Sequence, residues 1–107
     1  MTTNFNYNHA QQHLNGMAYK LNKNENISAF CDGVVVFIGQ KDGYNNTVII
    51  QGVDGFDIWY GNLENVNVNL YDYVKGGNLL GNVNEELYLV IMKNEKYYDL
   101  AEYQNRI

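Results

Sequence analysis

The 107 residues are enough for one domain with a small core, 46% of them are hydrophobic, and ten are tyrosine. Seven lysines and arginines against twelve acidic residues leave a net charge of −5 with no basic cluster, which argues against nucleic acid and anionic lipid as ligands. No apolar run reaches the roughly 18 residues a membrane span needs, and the polar start Met1–Asn8 lacks a signal-peptide pattern, so an anchor, if the natural protein has one, is expected outside this sequence.

Residues 1–26 are rich in Asn and Gln and poor in periodicity, which predicts a polar, partly flexible N-terminal arm. Within it Asn15-Gly16 reads as a turn, and Gly16–Leu21 alternates weakly enough to suggest an edge strand. From residue 27 to 107 the punctuation becomes regular. Cys31, the sole cysteine, allows no intrachain disulfide and stands beside Asp32-Gly33 at the entry to an apolar strand. It reads as a small buried hydrophobe, because both histidines, His9 and His13, lie in the N-terminal segment. The following runs are β-branched and aromatic: Val34–Ile38, Thr47–Ile50, Phe56–Tyr60, Val66–Leu70, Leu79–Val83 and Leu87–Met92.

Glycine turns separate these runs at intervals of about 8–12 residues, a pattern that predicts a single all-β domain, an antiparallel sheet or sandwich. Asp54-Gly55 between two of them is a hairpin signal. Val66-Asn67-Val68-Asn69-Leu70 has period two, with one face buried and the Asn face wet. No segment shows sustained helical periodicity, and no proline guards a sheet edge.

An ordered series of motifs then stands out: Gly33-x-Val35, Gly39, Gly43-Tyr44-x-Asn46-x-Val48-x-Ile50, Tyr60-Gly61-Asn62-Leu63, Val66-x-Val68 and Val74-x-x-Gly77-x-x-x-Gly81. The series resembles the lysostaphin-type peptidases of family M23 over roughly residues 30–100. A narrower run, Ile50-Gln51, Asp54-Gly55, Trp59–Glu64 and Leu70-Tyr71-Asp72-Tyr73-Val74, resembles the extracytoplasmic domain of the stage IV sporulation protein FA branch.

The wider resemblance implies one Zn²⁺ held by an early His and Asp and a later His-x-His, with a further His handling the proton. On a strand, residues two apart face the same side, so a His-x-His pair converges on one metal. Carried onto this chain, the early pair falls on Leu14 and Ala18, the later pair on Glu86 and Tyr88, and the proton-handling His on Asn62. Leu and Ala have no donor atom, a phenol with an ordinary pKa near 10 is a poor ligand, and Asn exchanges no proton near neutral pH. The expectation is therefore a degenerate peptidase domain with no cofactor, no metal and no hydrolytic activity. His13 lies one residue from Leu14, but one His and Glu86 do not make a tight site.

Other constellations are weaker. Glu85, Glu86, Asp54 and Asp57 read as turn and solvated strand positions rather than a glycosidase pair. Asp42–Asn46 lacks the later bidentate Glu of a Ca²⁺ loop. The glycines open no helix and so cradle no phosphate. A biotinyl-like or phosphocarrier-like domain would need a Lys at the Asp54-Gly55 tip or a His in the sheet, and neither is present.

With chemistry set aside, the aromatic residues become the candidates. Trp59, Tyr60, Tyr71 and Tyr73, with Asn62, are the expected partner-binding residues. The narrower resemblance implies a regulator that holds an intramembrane metalloprotease in an inhibited membrane complex, outside the cytoplasm of a spore-forming bacterium. The alternative is a cleft that binds cell-wall peptidoglycan without cutting it, with Trp59, Tyr60 and Asn62 near its floor.

Overall fold

A computed structural model describes residues 10–105. Among these residues nine strands form one antiparallel sheet: β1 Gln11–His13, β2 Gly16–Lys20, β3 Glu25–Ser28, β4 Gly33–Lys41, β5 Asn45–Gly52, β6 Asp57–Val66, β7 Tyr73–Val74, β8 Leu79–Lys93 and β9 Lys96–Tyr98. A short helix, α1 Leu100–Gln104, ends the described chain. The strand order is β1-β2-β8-β6-β5-β4-β7, with β3 and β9 also paired to β8.

The sheet has two unlike faces because successive side chains alternate. Val48, Tyr60 and Leu89 lie opposite one another on β5, β6 and β8, and all three are buried. The next row, Phe37, Ile49, Trp59 and Val90, crosses four strands on the other face. A bulge between Val35 and Phe37 leaves Val36 exposed while Val35 stays in the core. The core face is covered by Ile27, Ala29 and the helix residues Leu100 and Tyr103. The other face is the more open one, with Phe37 and Trp59 half-buried, although Ile49 and Val90 are buried there too.

Several sequence expectations hold. The domain is all-β, and Asp54-Gly55 turns β5 into β6, with Gly55 at a φ of 90° and Asp54 Oδ1 accepting from the Phe56 N–H at 3.1 Å. The expected boundary at residue 27 does not divide the fold. Residues 11–20 form β1 and β2, and β2 pairs along β8 in the register Met17↔Leu89 to Lys20↔Glu86. Ala18 and Tyr19 are buried, and the Tyr19 hydroxyl accepts from the Leu100 N–H at 3.3 Å. The strand expected over Gly16–Leu21 is therefore present as β2, though it lies between β1 and β8 rather than at an edge. The rest of the expected arm, residues 1–9, lies outside the described residues.

The run Val66–Leu70 is not a strand. β6 ends at Val66, and a turn follows in which Asp72 Oδ2 accepts from the Asn69 N–H at 2.8 Å. The two runs Leu79–Val83 and Leu87–Met92 belong to one strand, β8, which continues through Glu85 at a φ of 82°. Helix α1 went unseen because five residues are too few to show a period. Its signal was the Asp99-x-x-Glu102 capping box, in which each side chain accepts from the other's backbone N–H.

Candidate functional site

The positions singled out by the M23 resemblance converge on the open face. Register places Ala18 of β2 and Gly61 of β6 on either side of Tyr88 in β8. Glu86 lies two residues along the same strand, opposite Lys20. Asn62 sits in a β6 bulge at a φ of 66°, a backbone region that Asn tolerates better than most residues. Its Nδ2 donates to the Glu86 carbonyl and its Oδ1 accepts from Asn45 Nδ2, both at 2.9 Å. Both ends of the amide are thus engaged in joining β6 to β8 and to the start of β5. Leu14, in the β1–β2 turn at a φ of 52°, lays its side chain against Gly43.

Aromatic rings occupy the space between. His13 stacks on Tyr88 with centroids 3.9 Å apart and planes 12° from parallel. Its Nε2 donates to the Gly43 carbonyl, which sets the proton on that nitrogen. Tyr44 stands edge-on to His13 at 5.5 Å, to Tyr88 at 6.5 Å and to Trp59 at 5.5 Å. Its hydroxyl accepts from the Asn15 N–H at 3.2 Å and its carbonyl from the Asn62 N–H at 2.7 Å. Lys41 Nζ lies 4.6 Å from the Phe37 ring centroid and 5.1 Å from that of Trp59. Tyr44 is the residue that sequence reasoning missed as a site former. It had entered only within the Gly43-Tyr44-x-Asn46 motif, whose turn delivers the ring to this centre.

The zinc expected of the fold can be tested against these side chains. Leu14 and Ala18 offer no lone pair. The Tyr88 phenol is pushed above its ordinary value, first by desolvation and then by its hydrogen bond to Glu86 and that carboxylate's charge, so it resists becoming a phenolate ligand. Among the described residues no three His, Cys, Asp or Glu side chains gather as a metal site. Among the described residues the donor set does not fit the metal.

The five expected partner-binding residues do not share a surface. Trp59 is half-buried in the open face, where it lines a groove of about 70 Å³ with Asn15, Tyr44, Val90, Met92 and Tyr97. Asn62 is also on this face. Tyr60 is fully buried in the core, its hydroxyl accepting from the Phe30 N–H at 3.0 Å, so it is not available to a partner. Alternation along β6 puts adjacent Trp59 and Tyr60 on opposite faces. Tyr71 and Tyr73 lie at the far edge of the sheet beside β4, 74% and 57% exposed.

The family model for peptidase family M23 matches residues 12–100, and the chain belongs to that family. The fold is similar to the solution structure of lysostaphin, with a TM-score of 0.78 and 21% identity over 96% of this chain and 51% of that one. It is similar to the catalytic domain of the antimicrobial peptidase lysostaphin from Staphylococcus simulans, with a TM-score of 0.73 and 24% identity over 83% of this chain and 77% of that one. It also matches Helicobacter pylori Csd3, with a TM-score of 0.81 and 21% identity over 96% of this chain and 32% of that one. The chain thus spans about half the length of lysostaphin and a third of Csd3. No curated protein matches it.

Proposed function

We propose that this chain is a non-hydrolytic member of its family that works by holding a protein partner. The observation that carries the reading is the display of Tyr71. It has a φ of 71°, is 74% exposed, and is flanked by Leu70 and Tyr73, themselves 46% and 57% exposed. A bulky side chain in left-handed backbone costs on the order of 1–2 kcal/mol. The Tyr71 N–H donates to the Val35 carbonyl at 2.7 Å and so holds that backbone in place, while the side chain gains nothing in water that burial of Leu70, Tyr71 and Tyr73 against a partner would supply. The donor-poor positions Leu14, Ala18, Glu86, Tyr88 and Asn62 support the non-hydrolytic half of the reading.

The Leu70–Val74 run also carries the resemblance to the sporulation regulators. The proposed partner is therefore an intramembrane metalloprotease complex in the extracytoplasmic space of a spore-forming bacterium, with the domain tethered by a segment outside this sequence. Capture of that complex from membranes by the pure domain tests the proposal. A Tyr71→Ser/Tyr73→Ser variant is expected to capture at least about tenfold less. Capture undiminished in the variant overturns the docking surface. Stoichiometric zinc in the purified protein, or cleavage of a wall cross-bridge by it, overturns the non-hydrolytic reading.

The open groove beside Trp59 favours a second reading, retention of cell-wall peptidoglycan without cleavage. Co-sedimentation with purified peptidoglycan, lost in Trp59→Ala, distinguishes it from protein docking.

A further inference from the structure

Next to the Trp59 groove, where β2 and β9 meet the start of α1, lies a second, larger groove that the functional reading leaves unused. It has a volume of about 240 Å³ and runs between the β1–β2 turn and β9, sharing Asn15 and Tyr97 with the smaller groove. Gln12, Gly16, Met17, Tyr97 and Tyr98 are among its lining residues. Its lining includes two carboxylates, Asp99 and Glu102, and no Lys, Arg or His.

We infer that this groove receives the lysine side chain of an extended peptide. Three observations converge on that occupant. First, among the described residues β1 forms one edge of the sheet and Gln12 of β1 lines the groove, so a strand laid along that edge would pass over the opening. Second, the walls suit a four-carbon stem with a cationic tip. Met17 and the half-exposed Tyr97 ring offer apolar and π surface, along which a lysine stem packs while its ammonium reaches polar groups. Third, the charge is complementary. The capping box uses Asp99 Oδ1 and Glu102 Oε1. Oδ2 and Oε2 accept no further bond among the described residues.

The groove is separate from the Leu70–Tyr73 surface, so the peptide experiment and the capture experiment can fail independently. The probes are two end-capped pentapeptides, Gly-Gly-Lys-Gly-Gly and the same peptide with norleucine in place of lysine. They are titrated into the ¹⁵N-labelled domain at low and high salt. The lysine peptide is expected to shift the amides of Gln12, Asn15, Met17, Tyr97 and Tyr98, to bind about tenfold more tightly than the norleucine peptide, and to lose that preference at high salt. Asp99→Asn/Glu102→Gln removes both charges while keeping residue types that still cap a helix, and it is expected to bind the two peptides equally. Tyr97→Ala is expected to weaken both peptides. Equal affinity of the two peptides for the wild-type domain, shifts confined to other residues, or no shifts at millimolar peptide would each overturn the inference.

Discussion

Tyr71 is the residue at which backbone cost and exposure conflict most openly. Its φ of 71° suits glycine, which has no Cβ to clash. Tyr71→Gly should therefore raise the free energy of unfolding by about 1 kcal/mol, read from urea denaturation, while weakening partner capture. A loss of stability would mean that the ring packs on its own domain.

The buried phenols make a second prediction at this scale. Tyr60 and Tyr103 are held well above the ordinary value of 10.0, in both cases chiefly by burial. For Tyr103 the hydrogen bond its hydroxyl donates to Asp54 Oδ2 at 2.7 Å adds to the effect. The folded chain keeps these protons above pH 10, where the unfolded chain releases them. Stability is therefore undiminished below about pH 10 and falls as pH rises beyond it, by at most about 1.4 kcal/mol per pH unit for each phenol. Tyr103→Phe should flatten that slope in denaturant titrations at pH 10–11.5, and an unchanged slope would remove Tyr103 from the explanation.

Among the elements, β8 organises the rest. It pairs with β2, β3, β6 and β9. β2 brings it Tyr19, whose ring is buried and whose hydroxyl anchors the first helical N–H. Gly16 and Gly81 have no room for a Cβ against the Leu89 and Asn65 carbonyls, so the approach of β2 and β6 to β8 depends on glycine. A chain beginning at residue 27 should therefore not fold, and its amide NMR spectrum should collapse to the narrow dispersion of an unfolded polypeptide. A well-dispersed spectrum would show that residues 10–26 decorate the domain rather than complete it. The alternation of β4, β5 and β6 was legible because period two, β-branched residues and the Asp54-Gly55 turn are local signals. The strand over Gly16–Leu21 was legible from its weak alternation and is β2, but its place between β1 and β8 was not, since β8 is about seventy residues away in sequence, and the three-residue β1 was too short to show a period. Val66–Leu70 misled because its alternation is real but β6 ends at Val66 and the chain turns, with Asp72 Oδ2 accepting from the Asn69 N–H.

For the molecule as a whole, the test is whether the family scaffold still frames a metal position. Leu14→His, Ala18→Asp, Asn62→His, Glu86→His and Tyr88→His together restore the residue types that the M23 resemblance assigns. Ala18 and Tyr88 are already register neighbours, and Glu86 and Tyr88 lie two apart on β8, so the combined variant should bind zinc stoichiometrically by metal analysis after dialysis. A folded variant that retains no zinc would show that the strands no longer hold that geometry.

The sequence by itself determined the all-β class and the hairpin at Asp54-Gly55, because strand period and turn residues are local properties. Only the tertiary structure decided that Trp59 faces the open groove while Tyr60 closes the core, that Tyr71 and Tyr73 stand at a distant edge, and that His13 stacks on Tyr88. Those outcomes depend on register and on which face of the sheet is covered, and pairing across the chain sets both.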